Sequence, residues 1–237
     1  KGECILEKLD SRLAAAADFV GYGTVAADIG TDHGYLVCWL VENGVCKRAY
    51  ATDINEKPLE SAKALIAEKG LGDKIETRLT NGLNGLPGEE INEVLICGMG
   101  GETIMGILAS HKWVKSERVH LVLQPMSRAD ALRRWLCENG WRIAEERAVE
   151  ADGHLYTVMS VEFTGEKTVP DEIFCAVGKV PEFGGAVAVK YMRRQAAIHR
   201  GVAEGLMRSP SGKSAAMRHI ILADMIEEQA DETEKEK

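Results

Sequence analysis

The sequence predicts an α/β fold: a mainly parallel sheet, a terminal antiparallel hairpin and a C-terminal α-helical hairpin. Three observations carry that prediction. Through residue 163, short aliphatic or β-branched runs alternate with stretches of helical period, the rhythm of right-handed β-α-β crossovers. The first strand-like run ends in a turn dense in glycine and aspartate, Asp28 to Gly34. Beyond residue 171 the strand signals stop, and two long helical stretches surround a Pro/Gly interruption.

In chain order, an opening helix over residues 6–20 precedes a first strand over 24–29. Further strands are expected at 48–53, 74–79, 93–97 and 119–124, each ending near Gly, Asn, Asp or Pro. Helices over 35–42, 57–69, 102–110 and 128–139 lie between and after them, long enough to cross back over a sheet. The rhythm changes after Arg142. Residues 141–149 and 154–163 flank Ala151-Asp152-Gly153, an Asp-Gly turn typical of a β-hairpin. Five parallel strands and a terminal hairpin resemble the Rossmann-like architecture of methyltransferases. Residues 164–171 read as a linker, placing a boundary between a domain over 1–165 and another over 166–237. In the second, Gly184-Gly185 precede a helix over 186–207, a Pro/Gly turn over 208–212 and a helix over 213–229. Residues 231–237 are expected to fray.

Composition narrows the class. Hydrophobic residues are 45% and charged residues 28% of the 237, which excludes disordered, collagenous and fibrous chains. Aromatics are 5% while glycines number 24, so the core should be aliphatic and the turns tight. No apolar run approaches the roughly 20 residues that span a bilayer. Lys1-Gly2-Glu3-Cys4 starts no signal peptide. Six cysteines, at 4, 38, 46, 97, 137 and 175, form no C-x-x-C pair and no metal spacing with the six scattered histidines. Reduced, buried thiols in a cytoplasmic protein, without a metal, are the expectation.

The net charge of −8 hides an uneven distribution. Residues 186–220 hold seven cations against one acid, Glu204, a net +6, whereas 221–237 hold seven acids and two lysines, a net −5. The other 185 residues therefore carry −9. Lys190, Arg193, Arg194 and Arg200 fall on overlapping faces of one helix. Phosphate contacts with RNA are the functional reading of such a stripe; a solvated helix face is the other.

The motif at the first strand's end is Asp28-Ile29-Gly30-Thr31-Asp32-His33-Gly34. Glycines there let backbone turn sharply and approach a ligand, and the following helix offers unpaired N–H groups. Asp53 follows Gly34 by 19 residues at the end of the second strand, where a carboxylate can accept both ribose hydroxyls of a nucleoside. A dinucleotide needs bare backbone at the second glycine of G-x-G-x-x-G. Asp32 stands there instead, and its charge repels a pyrophosphate. S-adenosyl-L-methionine carries a sulfonium and an ammonium, so the acidic loop favours it over NAD. A plain strand–turn–helix with polar caps is the bland alternative. His33 reads as a helix cap rather than a base.

Three more turns share that rim. Thr80-Asn81-Gly82-Leu83 follows the third strand; Asn81 can accept from an adenine amine there, or the dipeptide is only a turn. After the fourth strand, Gly98-Met99-Gly100-Gly101 puts three glycines in four residues. They leave room above the transferred methyl for a planar base, or serve tight helix packing. Gln124-Pro125-Met126-Ser127 ends the fifth strand, and Gln124 can hydrogen-bond a base or a loop.

Together these residues resemble the bacterial TrmK family of tRNA adenine-N1 methyltransferases. The matching stretches are Arg12-Leu13, Ala17-Asp18-Phe19-Val20, Ala27 through Leu36, Ala51-Thr52-Asp53-Ile54-Asn55, Pro58-Leu59, Asn81-Gly82-Leu83, Gly98-Met99-Gly100-Gly101 and Leu123-Gln124-Pro125. They span most of residues 9–165 in order, and Asp-Ile-Gly-Thr-Asp-His-Gly with Gly-Met-Gly-Gly is a specific combination. The chain departs from the family pattern at Val37, Asn81 and Met126, where Pro, Asp and Asn are usual. The resemblance implies a class I methyltransferase domain, a helical, coiled-coil-like C-terminal domain, and methylation of N1 of adenine 22 in tRNA. It implies further that Arg12, Asp28, Gly30, Asp32, His33, Gly34, Asp53, Ile54, Asn81 and Gly82 bind S-adenosyl-L-methionine. Gly98, Met99, Gly100, Gly101 and Gln124 would position the acceptor, and Lys190, Arg193, Arg194 and Arg200 would clamp tRNA. A monomer is expected. The same chemistry on another RNA or a small molecule, an NAD-dependent oxidoreductase, and a non-catalytic RNA-binding module are the rival readings.

Overall fold

Asp10 caps the first helix, α1 (Ser11–Asp18), its carboxylate accepting the N–H groups of Arg12 and Leu13 at 2.9 Å each. A cap of this kind fixes where a helix begins, so α1 is shorter than the helix expected from residue 6 to 20. The computed structural model describes residues 9–235, and Cys4 and residues 6–8 lie outside them. Then follow β1 (Thr24–Ile29), α2 (Tyr35–Glu42), β2 (Cys46–Asp53), α3 (Glu56–Glu68) and β3 (Ile75–Leu79). The second half of the sheet domain holds β4 (Glu93–Gly100), α4 (Gly101–Ala109), β5 (His120–Ser127), α5 (Ala129–Glu138), β6 (Trp141–Ala151) and β7 (His154–Phe163). Strand β4 runs three residues further than expected, because Gly98 takes φ 77 and bulges the strand without ending it.

The seven strands form one sheet in the order β3-β2-β1-β4-β5-β7-β6. All pairs through β4–β5 are parallel, and β7 joins antiparallel to β5 and β6. Strand order reverses between β1 and β4, and ligands of open parallel sheets bind at the carboxyl ends there. Successive residues of β1 serve opposite faces. Ala27 and Ile29 pack with Ile104, Leu108 and Leu132 of α4 and α5. Ala26 packs with Leu36, Leu40, Ile66 and Ala16 of α2, α3 and α1. Both faces are mainly aliphatic, in line with the scarcity of aromatics, and Tyr50 and Trp141 are the buried rings of the first.

After the linker come two short helices the sequence did not signal, α6 (Glu172–Val177) and α7 (Val180–Phe183), then α8 (Ala186–Met207) and α9 (Lys213–Lys235). The last two are antiparallel, and Val189, Met192 and Ala196 of α8 meet Ala223, Ile226 and Ala230 of α9. Their three- and four-residue spacing is that of a coiled-coil seam. Residues 231–235 are helical rather than frayed. Arg193 holds Asp231 at 3.0 Å and Glu234 at 2.7 Å, which ties the last turns of α9 to α8.

A buried ion pair fastens these helices to the sheet domain. Arg133 of α5 and Glu146 of β6 are both fully inaccessible and meet at 2.8 Å. The guanidinium also donates to the Cys175 and Ala176 carbonyls that end α6, at 2.7 and 2.9 Å, and to the Tyr191 hydroxyl of α8 at 2.9 Å. Burial works against the arginine's charge, and Glu146 with Tyr191 outweighs it, holding the group protonated. Gly178 lies so close that a Cβ there would stand 1.8 Å from a Glu146 carboxylate oxygen. The described cysteines are free thiols; burial pushes Cys38, Cys46 and Cys175 up to about 11.

Candidate active site

A cleft of about 610 Å³ opens at the carboxyl ends of β1, β2 and β4. The loop from β1 to α2 forms its floor. Gly30, Asp32 and Gly34 alternate through left-handed backbone at φ 75, 53 and 76; aspartate is among the few side chains that tolerate that region. Gly30 makes room for the end of Met99, whose Cε would be 2.4 Å from an added Cβ. Gly34 allows α2 to start against Ala62 of α3, 3.0 Å from an added Cβ, and does not line the cleft.

The cleft brings together Arg12, Asp28, Gly30, Asp32, His33, Asp53, Ile54, Asn81 and Gly82 from the expected cofactor set, and Gly98, Met99 and Gln124 from the expected acceptor set. It does not include Gly100 or Gly101. A Cβ on Gly101 would sit 2.6 Å from the Arg128 carbonyl oxygen, so that glycine lets α4 pack against the β5–α5 turn. His33 caps nothing: the N-cap of α2 is Gly34, without a side-chain bond, and the imidazole stands exposed 3.7 Å from Asp32. Sequence reasoning passed over Thr103 and Ile107, one helical turn apart on the α4 wall. Nothing local marks them, since only tertiary packing turns that face of α4 to the cleft.

Gln124 is fully buried and spent on its own loop. Its Oε1 accepts the Gly98 N–H at 3.0 Å and its amide nitrogen donates to the Pro125 carbonyl at 3.0 Å. It therefore holds the bulge at Gly98 open. Replacing Gln124 with alanine would leave a cavity and take the partner from the part-buried Gly98 N–H and the buried Pro125 carbonyl, and stability should fall by about 1–3 kcal/mol. An unchanged unfolding midpoint in urea would remove this role.

Charge sets what the cleft can hold. Three carboxylates, Asp28, Asp32 and Asp53, line it. Asp53 accepts the Asn55 N–H through one oxygen at 2.8 Å, and no bond engages its second. Asp28 accepts from the Thr31 hydroxyl at 2.7 Å. Burial, with Asp53 nearby, lifts the Asp28 carboxyl from 3.8 to about 6 despite that bond. Arg12 pairs with Asp10 at 2.8 Å and lies 5.5 Å from the Tyr156 ring, while its buried Nε has no partner. This donor set fits S-adenosyl-L-methionine: carboxylates for its cations, an unsatisfied guanidinium N–H for its carboxylate, and exposed Ile54 for a flat ring. Among the described residues no group of His, Cys, Asp and Glu could hold a metal.

The lifted Asp28 value makes a pH prediction. The native state binds the Asp28 proton more tightly than the unfolded chain, so this group costs stability as pH rises from about 4 to 6. Asp28→Asn removes that cost. The variant's advantage over the parent should grow by about 3 kcal/mol between pH 4 and 7, read from urea unfolding at each pH. A constant difference would refute the shift.

The expected basic stripe is largely neutralised. Lys190 pairs with Glu150, Arg193 with Asp231 and Glu234, and Arg200 with Asp224 and Glu227. The −5 segment folds onto the +6 segment. These side chains are exposed, so solvent screens each pair and the pairs add little to stability. Among the described residues Arg194 makes no ion pair, and it faces a second cleft beside α5.

Known proteins resemble this chain in sequence and in fold. A methyltransferase-domain family matches residues 9–159. A tRNA (adenine(22)-N(1))-methyltransferase of Bacillus subtilis is 34% identical over 171 residues, 72% of each chain. The crystal structure of the Bacillus subtilis M1A22 tRNA methyltransferase TrmK superposes with a TM-score of 0.82 at 27% identity, covering 93% of this chain and 99% of that one. The structure of Mycoplasma capricolum TrmK with S-adenosyl-homocysteine gives 0.79 at 26% identity, covering 94% and 99%.

Proposed function

Because this chain belongs to the bacterial TrmK family of tRNA methyltransferases, we propose that it transfers a methyl group from S-adenosyl-L-methionine to N1 of adenine 22 in tRNA. The observation that carries the proposal is the acidic cleft at the β1/β4 crossing, lined at the end of β4 by the open bulge at Gly98. Bound there, S-adenosyl-L-methionine supplies an electrophilic methyl group. Arg12 takes its carboxylate through the unsatisfied Nε, Asp53 the ribose hydroxyls, and Ile54 with Asn81 borders the adenine. Asp28 and Asp32 favour the positive charge.

Nothing within 4 Å would meet a Cβ at Gly98, which leaves space for a planar acceptor beside Met99. Adenine N1 is neutral and carries a lone pair once unpaired, so alignment matters more than a strong base. N1 lies on the Watson–Crick edge, and exposing the base costs about a few kcal/mol. A cytoplasmic location accords with a tRNA substrate, and no helix among the described residues is long and apolar enough to cross a membrane.

Tritiated methyl transfer into unmodified tRNA transcripts, with the product nucleoside and its position read by mass spectrometry, tests the proposal. Label should appear as 1-methyladenosine at position 22 and vanish when that adenine is replaced by guanine. No incorporation into any tRNA would overturn it.

A further inference from the structure

The second cleft, about 360 Å³, lies between the β5–α5 turn, β7 and α8. It shares a wall with the first. Arg12 reaches Met126 on this wall at 3.3 Å and lies over Tyr156, so the two clefts meet across one layer of side chains. Their charges are opposite. The cofactor cleft is lined by three aspartates against one arginine, Arg12, whereas the second is lined by Arg128, Arg133 and Arg194 against one acid, Asp130. Arg133 is spent on Glu146, and Arg128 on Glu102 at 3.0 Å and Asp130 at 3.7 Å. Among the described residues Arg194 is left without an ion pair.

Two further observations point to an anion. Arg128 is the N-cap of α5, held at φ 56, and no side chain caps that ten-residue helix; its first N–H groups are natural phosphate donors. Thr157, only 2% exposed, lines the same cleft with its hydroxyl buried and unbonded. A buried hydroxyl without a partner is costly unless something supplies one. A solvated helix face would require none of this.

We infer that the second cleft seats a phosphodiester of the RNA strand that carries the acceptor base, held by Arg194, Thr157 and the start of α5. This rests on the tRNA methylation reading above and adds where the strand enters. The strand crosses the Met126–Tyr156 wall, and the base turns from the basic cleft into the acidic one. RNA is thus read by a short cleft beside the chemistry, not along the paired stripe of α8.

The test compares Arg194→Ala and Thr157→Val with the parent protein. Unmodified tRNA transcript binding is measured by fluorescence anisotropy across salt concentrations, and S-adenosylhomocysteine binding by calorimetry. Arg194→Ala should weaken RNA binding about tenfold and lower the log–log salt slope by about one. Thr157→Val should weaken RNA binding several-fold at an unchanged salt slope. Unaltered S-adenosylhomocysteine affinity shows that both variants fold. Parental RNA affinity in both variants overturns the subsite while leaving the methylation reading intact. Inorganic phosphate binding that Arg194→Ala abolishes, with RNA affinity unchanged, reassigns the cleft to a free anion and equally overturns it. A parent protein that neither binds nor methylates RNA removes the functional reading, and the subsite with it.

Discussion

Arg133→Met is expected to lower the stability of the folded protein by about 3–5 kcal/mol, the usual cost of breaking one side of a buried ion pair. The methionine fills much of the volume, so the loss is electrostatic. Glu146 would keep only the Lys179 N–H at 3.2 Å, in a site with no access to water. The Cys175 and Ala176 carbonyls and the Tyr191 hydroxyl would lose their donor as well. At about 2–4 °C per kcal/mol for a chain of this size, the melting temperature should drop by roughly 6–20 °C. The companion variant is decisive. Arg133→Met with Glu146→Leu replaces both charges by apolar groups and should recover most of the loss. If the double variant is as unstable as the single one, the damage lies in packing around Gly178 and not in an abandoned carboxylate.

The largest expected effect on ligand binding is at Asp53. Its second carboxylate oxygen faces the cleft unengaged, and hydrogen bonds to charged groups contribute about 1.5–3 kcal/mol each. Asp53→Ala should weaken S-adenosylhomocysteine binding roughly 100-fold, at about 1.4 kcal/mol per tenfold. The fold should survive, because the Asn55 N–H that Asp53 accepts sits at the exposed start of α3. Calorimetric titration of the variant decides it. A change smaller than about threefold, at 1.4 kcal/mol per tenfold, would remove Asp53 from the ribose contact.

What was legible in the sequence is what local chemistry dictates. The strands and helices through residue 163 follow from runs, periods and turn residues, and the Asp28–Gly34 loop takes the left-handed backbone its glycines call for. What was not legible depends on residues far apart in the chain. Gln124 looked as able to serve a base as a loop until its partner Gly98, 26 residues away, was in place. Arg133 and Glu146 carry no local signal of burial in the sequence, and their burial comes from α6 and α8 closing over them. The neutralised stripe left a signal that was passed over. Asp224 and Asp231 are seven residues apart, as are Glu227 and Glu234, matching the seven between Arg193 and Arg200. That is the charge register of a coiled coil, and net charge by segment conceals it.

Strand β6 ends the sheet, and unpaired strand edges invite another chain to add to them. The helices after the linker cover the sheet face beside this margin. Val180, Ala188 and Tyr191 pack over Ala148 and Leu155 of the terminal hairpin, and Arg147 lies 4.4 and 4.5 Å from the rings of Phe19 and Phe183. A chain cut after the hairpin would therefore lose more than an RNA-binding appendage. It would bare an apolar face next to an unpaired strand edge and self-associate, so a workable catalytic fragment needs polar replacements at Ala148 and Leu155.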